Sequence, residues 1–256
     1  MNMDSFLALN HVSYAYHSPQ GELPAMTDLC LSIEKGEFVS IVGPSGCGKS
    51  TLLSLICGLL KPEEGSILVG GHPPDESDVK IGYMLQKDHL FEWRNIFKNV
   101  CLGLEIQKAQ TPDSLAYTTQ LLKSYGLEGF EDVRPSELSG GMRQRAALIR
   151  TMTLHPDLLL LDEPFSALDY QTRLEVCDDI AMIIKEAGKT AVLVTHDLSE
   201  AISFGNRVIV LSSRPARIKA DIRLSFDEDL SPLKRRSDQQ FYQYFNMIWE
   251  ELKGHE

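Results

Sequence analysis

Short apolar runs separated by turn residues dominate the first third of the chain. Apolar and polar side chains alternate imperfectly over 6–16, and 29–33 and 38–42 are short apolar runs. The intervening sequence Glu-Lys-Gly-Glu at 34–37 is typical of a turn between two strands. This pattern predicts a β-rich N-terminal region.

The first break in this pattern is a glycine-rich stretch that begins at residue 43 and leads into a helix. Residues 50–60 carry apolar side chains at helical spacing, and the periodicity stops near the Lys-Pro pair at 61–62. Strand character returns at 66–69 and again at 79–85. The chain is therefore predicted to run from a strand through a glycine-rich loop into a helix.

A different pattern occupies 88–135. Apolar residues recur at helical spacing through 96–104 and 114–125, and no run typical of a strand interrupts them. We expect this region to be a helical lobe inserted into a strand-rich domain.

The second half of the chain returns to strands. Residues 158–161 and 190–194 are continuous apolar runs, as expected for strands that are buried on both faces. A helix is predicted between them at 171–187, and a strand–helix–strand unit of this kind implies a parallel sheet. A last helix is predicted at 241–252.

Composition narrows the class of protein. With 256 residues, of which 43% are hydrophobic, the chain suits one large α/β domain or one domain with an inserted lobe. Its 25 basic and 36 acidic residues give a net charge of −11, so we expect no nucleic-acid partner. No apolar run approaches the roughly 20 residues that span a bilayer. Residues 1–10 show no basic-then-apolar pattern, so we expect no secretory signal there, and five scattered cysteines predict free thiols.

The glycine-rich stretch matches the pattern G-x-x-x-x-G-K-[ST] of a phosphate-binding loop. This phosphate loop consists of Gly43, Pro44, Ser45, Gly46, Cys47, Gly48, Lys49, Ser50 and Thr51. Its glycines let backbone amides turn toward an oxyanion, and the start of the following helix adds unpaired N–H groups. Lys49 would contact the β and γ phosphates of ATP, and the Ser50 hydroxyl would bind Mg²⁺. Cys47 is interpreted as a tolerated small residue, whose alkylation would block nucleotide binding sterically.

Two carboxylates, Asp162 and Glu163, follow directly on the apolar run at 158–161. Functional groups of α/β proteins gather at the carboxyl ends of the strands, which makes this pair a candidate for chemistry. Asp162 would hold Mg²⁺, mainly through water, and Glu163 would be the general base that polarises the attacking water. Alone, the pair also suits a solvated strand end before Pro164, but its combination with the phosphate loop favours catalysis.

The sequence Leu-Ser-Gly-Gly-Met-Arg-Gln-Arg at 138–145, here called the signature segment, decides among the P-loop NTPases. The phosphate loop alone would fit a kinase or a GTPase equally well. The signature segment resembles the LSGGQ or LSGGM signature of ATP-binding cassette (ABC) proteins, with a hydroxyl and two glycines at the start of a predicted helix at 143–153. The resemblance implies that Ser139, Gly140, Gly141 and Met142 face the ATP held by a second copy of the chain.

Other positions resemble the ABC pattern in the order in which that family has them. Gln86 is similar to the Q-loop glutamine that contacts Mg²⁺ and water, and Asp169 to the D-loop aspartate that reaches across the dimer. His196 resembles the switch histidine that contacts the γ-phosphate. Tyr16 resembles the aromatic residue that stacks on adenine, although Tyr14 on the same strand face is an alternative.

The resemblance covers most of the chain and implies a fold and a domain division. The expected fold class is α/β, with a P-loop NTPase core of the ABC type, built from a mixed sheet with flanking helices and an antiparallel β subdomain. We expect 1–87 and 136–220 to form this ATP-binding core and 88–135 the inserted α-helical lobe. The signature helix, 139–153, would adjoin the lobe, and 221–256 would be a C-terminal helical extension.

A second resemblance concerns the kind of ABC protein. The sequence Leu-Phe-Glu-Trp-Arg-Asn-Ile at 90–96 and the sequence Ser-Arg-Pro-Ala-Arg-Ile at 213–218 are similar to segments of the nitrate/sulfonate/taurine importer family. Glu92, Asn206 and Ala216 depart from that family's usual residues. The importers of this family take up nitrate, alkanesulfonates, taurine or thiamine precursors, and the departures leave the solute open.

The importer resemblance also implies partners and a location. Transmembrane permease subunits would dock near Trp93, a solute-binding protein would act indirectly, and the chain would lie on the cytoplasmic face of the cell membrane. The expected activity is ATP hydrolysis that powers solute uptake, with ATP and Mg²⁺ bound. The alternative is a soluble ABC-type ATPase without a membrane partner.

Overall fold

The computed structural model of the chain defines its architecture. It describes residues 5–19, 21–166, 168, 173, 177, 180, 184, 188–227 and 230–253. The helix predicted at 171–187 lies outside the described residues except for single positions. Among the described residues, no helix combines the length and apolar character needed to cross a membrane.

Three N-terminal strands form an antiparallel sheet. They are β1 (Leu7–Ser18), β2 (Gly21–Ile33) and β4 (Glu64–Val69), in the spatial order β2-β1-β4. Strand β1 is the central strand and pairs antiparallel with both neighbours. This sheet brings the N-terminal region over the helix that follows the phosphate loop.

A second, six-stranded sheet forms the centre of the molecule. Its strands are β3 (Phe38–Val42), β5 (Ile81–Met84), β6 (Leu158–Asp162), β7 (Thr190–Val194), β8 (Arg207–Leu211) and β9 (Ile218–Arg223). The spatial order is β5-β6-β7-β3-β8-β9, and all neighbours pair in parallel except β8 and β9. The mixed sheet and the separate antiparallel sheet confirm the predicted fold class.

Helices cover both faces of the six-stranded sheet and fill the region between β5 and β6. They are α1 (Lys49–Ile56), α2 (Ile96–Val100), α3 (Leu102–Ile106), α4 (Pro112–Ser124), α5 (Gly140–Met152), α6 (Leu198–Phe204), α7 (Pro232–Arg235) and α8 (Gln239–Lys253). Helices α2 to α4 fall within 88–135. Side chains at the N-caps start several of these helices, as Thr111 does for α4 and Ser139 for α5.

The central strands are buried on both faces, which explains their continuous apolar sequences. Leu159 and Leu161 of β6 pack with α5 and the helices of 88–135, whereas Leu158 and Leu160 pack with α1 and the antiparallel sheet. A third cluster joins α6 and α8 to strands β3 and β8. Neighbouring side chains of one strand thus enter two different cores.

Several element boundaries differ from the sequence expectation. Helix α1 ends at Ile56 rather than near residue 60, because Gly58 adopts a left-handed conformation that stops the helix. The helical stretch predicted at 96–104 is divided at Cys101 into α2 and α3. Helix α5 starts at Gly140 rather than 143, since the Ser139 side chain accepts a hydrogen bond from the Met142 amide.

Some elements were missing from the sequence expectation altogether. Strand β2 starts at Gly21, well before the predicted run at 29–33. Strands β8 and β9 and helix α6 were not predicted. Strand β9 continues to Arg223, so the boundary expected at residue 220 falls inside a strand of the central sheet.

Candidate nucleotide site

The predicted site residues follow four neighbouring strands of the central sheet. The phosphate loop begins after β3, Asp162 ends β6, and Gln86 and His196 lie shortly after β5 and β7. These strands are parallel and adjacent in the order β5-β6-β7-β3, so their carboxyl ends share one edge. The topology therefore gathers residues from distant parts of the sequence into one crevice.

The phosphate loop has the backbone conformation that its glycines permit. Gly46 and Gly48 have φ angles of 73° and 116°, in the left-handed region that other residues rarely adopt. A Cβ atom at Gly48 would also lie 3.3 Å from the Ala25 carbonyl oxygen. Helix α1 begins at Lys49 without a side-chain cap and with no acidic residue in its first turn, which favours an anion at its N-terminus.

Lys49 is held inside the loop by neutral partners. Its Nζ donates to the carbonyl oxygens of Gly43 and Pro44, at 2.9 and 3.0 Å, and the residue is only 7% exposed. Within the described part of the chain, no ion pair joins Lys49 to a carboxylate. Its charge is therefore available to an anion bound in the loop. Cys47, beside it, is buried, and burial raises the pKa of its thiol.

Ser50 and Asp162 form an oxygen pair that suits a small divalent cation. The Ser50 hydroxyl donates to Asp162 Oδ1 at 3.1 Å, and Tyr83 donates to Oδ2 at 3.4 Å. Burial raises the pKa of the Asp162 carboxyl, and no cationic side chain of the described residues forms an ion pair with it. A hydroxyl and a carboxylate are the hard donors that Mg²⁺ prefers, so the residues present fit this ion.

Glu163 is the point at which three predicted residues meet. Gln86 donates from Nε2 to Glu163 Oε2 at 3.1 Å, and His196 Nδ1 lies 3.1 Å from the same oxygen. The Glu163 amide donates to the Val194 carbonyl, which ties the residue to the end of β7. With a φ of 44°, Glu163 also has a left-handed backbone that is costly for a side chain of its size.

Tyr16 contacts the last residue of the phosphate loop, Thr51, which lies in the first turn of α1. Its hydroxyl lies 2.9 Å from the Thr51 hydroxyl, and the residue is 39% exposed. Tyr14 packs edge-on against the Tyr16 ring at 5.2 Å between centroids and is less exposed. Of the two tyrosines, Tyr16 is therefore the one that lies against α1 and has an accessible ring.

In the described part of the chain, the signature segment makes its contacts within α5, beside Leu168 and in the core shared with 88–135. Ser139 caps α5, Gly140 lies beside Leu168, and Met142 packs against the core shared with 88–135. Among the described residues, no hydrogen bond or ion pair joins 139–142 to 43–51. Gly141 is buried in the first turn of α5. Asp169 lies outside the described residues.

Two arginines that the sequence reasoning missed join α5 to the residues after Gln86. Arg143 donates from Nε to Asp88 at 3.2 Å, and Arg150 donates to the carbonyl oxygens of Asp88 and His89 at 2.6 and 2.8 Å. Because both arginines lie on the signature helix, the segment that follows Gln86 is attached to that helix. The available sequence signal was their seven-residue spacing, which places both arginines on the same face of the helix.

A third missed arginine connects two loops of the crevice. Arg173 donates to the Leu168 carbonyl at 2.9 Å and pairs with Asp197 at 3.4 Å, next to His196. Its Nε also lies 3.9 Å from the buried Glu200 carboxylate. Nothing in the local sequence around Arg173 indicates this connection, since its partners come from other segments.

Trp93 lies on the surface of the region 88–135. The residue is 73% exposed and stacks on Phe91 with 4.6 Å between ring centroids. Asn99, fully buried, accepts a hydrogen bond from the Phe91 amide and donates to the carbonyl oxygens of Phe91, Arg94 and Asn95. The Asn99 side chain therefore binds four backbone groups of the loop that carries Trp93.

Comparison with known proteins gives a consistent result. Residues 26–166 match the family model described as ABC transporter. An uncharacterised ABC transporter ATP-binding protein of Bacillus subtilis, YtlC, is 46% identical over 98% of this chain and 96% of its own length. The taurine import ATP-binding protein TauB of Roseobacter denitrificans is 38% identical over 97% of each chain.

A solved structure shares the architecture. A dimeric ATP-binding cassette in a post-hydrolysis state, bound to ADP and Pi, superposes with a TM-score of 0.74 at 32% identity. The match covers 86% of this chain and 100% of that one.

Proposed function

Since this chain belongs to the ABC transporter family, we propose that it is the ATP-hydrolysing subunit of an importer that takes up a small solute through separate membrane subunits. The observation that carries the proposal is the meeting of Gln86, Glu163 and His196 at one carboxylate oxygen beside the phosphate loop. Among the nitrate, alkanesulfonate, taurine and thiamine-precursor classes expected from the sequence, the taurine import role in the name of TauB supports taurine.

Each group of the crevice has a task in this proposal. The amides of the phosphate loop and Lys49 bind the β and γ phosphates of ATP. Ser50 and Asp162, with Gln86 nearby, would hold Mg²⁺, which when bound neutralises charge on the phosphate oxygens. Glu163 accepts a proton from the attacking water, and Gln86 and His196 hold its carboxylate in place. Tyr16 presents its ring to adenine.

The complete site needs a second copy of the chain. Among the described residues, no hydrogen bond or ion pair joins 139–142, at the N-terminus of α5, to the phosphate loop. The similar cassette structure is a dimer bound to ADP and Pi. In the proposed homodimer, residues 139–142 of one copy face the γ-phosphate bound by the other. Asp169 would reach across the same interface.

Trp93 supports the proposed membrane partner. An exposed tryptophan on a loop held by a buried asparagine is a rigid aromatic anchor, which is typical of the centre of protein interfaces. The loop also follows Gln86 in sequence. We infer that permease subunits dock here, on the cytoplasmic face of the membrane, with the solute-binding protein acting through them.

Replacement of the proposed general base tests the activity. Glu163→Gln keeps the shape of the side chain and its capacity to accept from Gln86, but removes the base. We expect turnover of ATP to fall about 100-fold or more, as for loss of a general base, while ATP stays bound and holds a dimer. Phosphate release and size-exclusion chromatography with ATP measure both effects.

The matched control is Glu128→Gln, an exposed carboxylate in the region 88–135. It should hydrolyse ATP like the unmodified chain. Undiminished phosphate release by Glu163→Gln would overturn the assignment of Glu163.

Fractionation tests the importer against the alternative of a soluble ABC-type ATPase. The chain should sediment with membranes when its permease is co-expressed, and Trp93→Ala should release it. A chain that stays in the supernatant in both cases would favour the soluble ATPase.

A further inference from the structure

The C-terminal extension holds the end of helix α6 with a buried arginine. Arg235, at the end of α7, donates from Nη1 to the carbonyl oxygens of Ser203 and Gly205, at 3.2 and 3.0 Å. The neighbouring Arg236 donates from Nε to the Ser203 hydroxyl at 2.9 Å. Two successive arginines of the extension thus bind the last turn of α6.

The guanidinium group of Arg235 is buried without an acidic partner among the described residues. Arg235 is only 9% exposed, its Nε has no hydrogen-bond partner, and it forms no ion pair with any described residue. Its guanidinium lies 5.0 Å from the centre of the Phe226 ring, which is also part of the extension. Its compensation comes from the carbonyl oxygens at the C-terminus of α6, where a positive charge is favourable. Its contacts therefore fix the position of α6 relative to the extension.

The N-terminal end of α6 follows directly on Thr195, His196 and Asp197. Asp197 caps the helix by accepting from the amides of Ser199 and Glu200, at 2.7 and 3.2 Å. Thr195 bonds to the buried Glu200 carboxylate at 2.6 Å. His196 lies between these two residues, so both of its neighbours are attached to the first turn of α6.

Helix α6 is short enough to transmit a displacement. Its seven residues span about 10 Å at 1.5 Å per residue. The Ser40 hydroxyl donates to the Ala201 carbonyl at 3.0 Å, and Gly205 is packed closely against Ser40. We therefore expect α6 to move as one rigid body, so that a displacement of its C-terminus also displaces its N-terminus.

We propose that Arg235 is a positioning residue for ATP hydrolysis, which acts through α6 to hold His196 at the Glu163 carboxylate. The 3.1 Å separation of His196 Nδ1 and Glu163 Oε2 is the geometry that this contact maintains. This inference rests on the proposed function, because it takes His196 and Glu163 as parts of the hydrolytic site. It assigns to the C-terminal extension a role in turnover rather than in nucleotide binding.

Steady-state kinetics of three variants tests the inference. Arg235→Ala should lower kcat for ATP about tenfold, within the usual range of coupling between distant sites, and leave KM and the affinity for a fluorescent ATP analogue within about twofold. Arg235→Lys, which can still donate to both carbonyl oxygens, should restore most of kcat. Lys234→Ala, at the exposed neighbouring position, should behave like the unmodified chain.

A merely structural role would give another pattern. If kcat, nucleotide affinity and melting temperature fall together in Arg235→Ala, or if kcat is unchanged, the inference is overturned. Should Arg235→Ala fail to fold, Arg235→Gln is measured by the same criteria, because its amide keeps a donor but loses the charge.

His196→Ala separates this inference from the proposed function. If His196→Ala leaves turnover unchanged, the role of His196 in the proposed function fails. If His196→Ala lowers turnover and Arg235→Ala does not, the role of Arg235 alone is overturned.

Discussion

Glu163 combines a strained backbone with a shared carboxylate. A left-handed conformation at a residue of this size costs about 1–3 kcal/mol and persists only where the surroundings fix it. Here the Glu163 amide is bonded to β7, and the carboxylate is bonded to Gln86 and lies near His196. In this conformation the carboxylate meets Gln86 and His196, which follow the two neighbouring strands β5 and β7.

The environment of Asp162 disfavours the ionised form of its carboxyl group. Burial, followed by the neighbouring charge of Glu163, raises the pKa of its carboxyl above the ordinary 3.8. The folded chain therefore binds this proton more tightly than the unfolded chain does. Its contribution to stability falls as pH rises from 3.8 through the raised pKa, and the ionised group destabilises the fold at neutral pH.

Asp162→Asn should therefore raise the melting temperature of the nucleotide-free protein at pH 7, because it removes a buried charge. The difference from the unmodified chain should shrink as the pH is lowered, since the carboxyl then becomes protonated. The variant should also lose the extra stabilisation by ATP that depends on Mg²⁺. Thermal melts over a pH series, with and without Mg²⁺ and ATP, measure all three effects.

Asp78→Asn, at an exposed position, serves as the control and should leave the melting curve unchanged. A lower melting temperature for Asp162→Asn at pH 7 would mean that the Ser50 and Tyr83 hydrogen bonds outweigh the burial of the charge.

Helix α5 shows how one element serves two ends of the site. Its N-terminus presents the signature glycines, and Arg143 near its start and Arg150 in its last turn bind Asp88 and His89. The segment after Gln86 and the signature segment therefore move with the same helix. This arrangement connects the proposed permease surface to the proposed dimer interface through a single rigid element.

The short helix α2 fixes the loop that carries Trp93. Asn99→Ala would leave the Phe91 amide and the Arg94 carbonyl oxygen without their partner, whereas the Phe91 and Asn95 carbonyl oxygens would each keep a backbone hydrogen bond. Each buried group left unsatisfied costs about 1–3 kcal/mol. We expect a lower melting temperature and faster amide hydrogen exchange over 91–95, measured by mass spectrometry.

The exposed neighbour Lys98 provides the comparison, and Lys98→Ala should exchange like the unmodified chain. Unchanged exchange over 91–95 in Asn99→Ala would show that other contacts hold the loop.

At the scale of the whole molecule, each chain contributes one part to each of two nucleotide sites in the proposed dimer. Ser50 of the phosphate loop is bonded to Asp162, the residue before Glu163, whereas Gly140 of the signature segment lies beside Leu168. A symmetric dimer would combine the phosphate loop of one copy with the signature segment of the other, twice.

Mixing two inactive variants tests this arrangement. Lys49→Ala removes the phosphate contact, and Ser139→Glu places a negative charge at the signature segment, so each homodimer has two defective sites. A mixed dimer has one site in which both halves are intact. With random pairing, about half of the dimers are mixed and each has one intact site out of two. Roughly a quarter of all sites should then be intact, as expected for an isologous dimer.

ATP turnover of an equimolar mixture, measured against each variant alone, checks this expectation. Turnover that never exceeds the sum of the two separate variants would contradict a site shared between copies. The control is the double variant, which carries Lys49→Ala and Ser139→Glu on one chain. Its dimers contain no intact site, so its ATP turnover should stay at the level of the separate variants.

The sequence by itself determined the family of the chain and predicted the chemistry of the site. The phosphate loop, the acid pair after an apolar strand and the signature segment are local patterns, in which residue type and spacing reflect the backbone conformation that the chemistry requires. The central strands β3, β6 and β7 were equally visible, because strands buried on both faces need continuous apolar residues.

Only the tertiary structure decided which residues meet. Gln86, Glu163 and His196 follow three different strands, and the parallel order β5-β6-β7 alone brings them to one oxygen. The contacts of Arg143, Arg150, Arg173 and Arg235 are likewise with backbone carbonyls or side chains of other segments. A local pattern cannot encode such partners, because a carbonyl oxygen is the same at every residue and only the fold selects which one an arginine reaches.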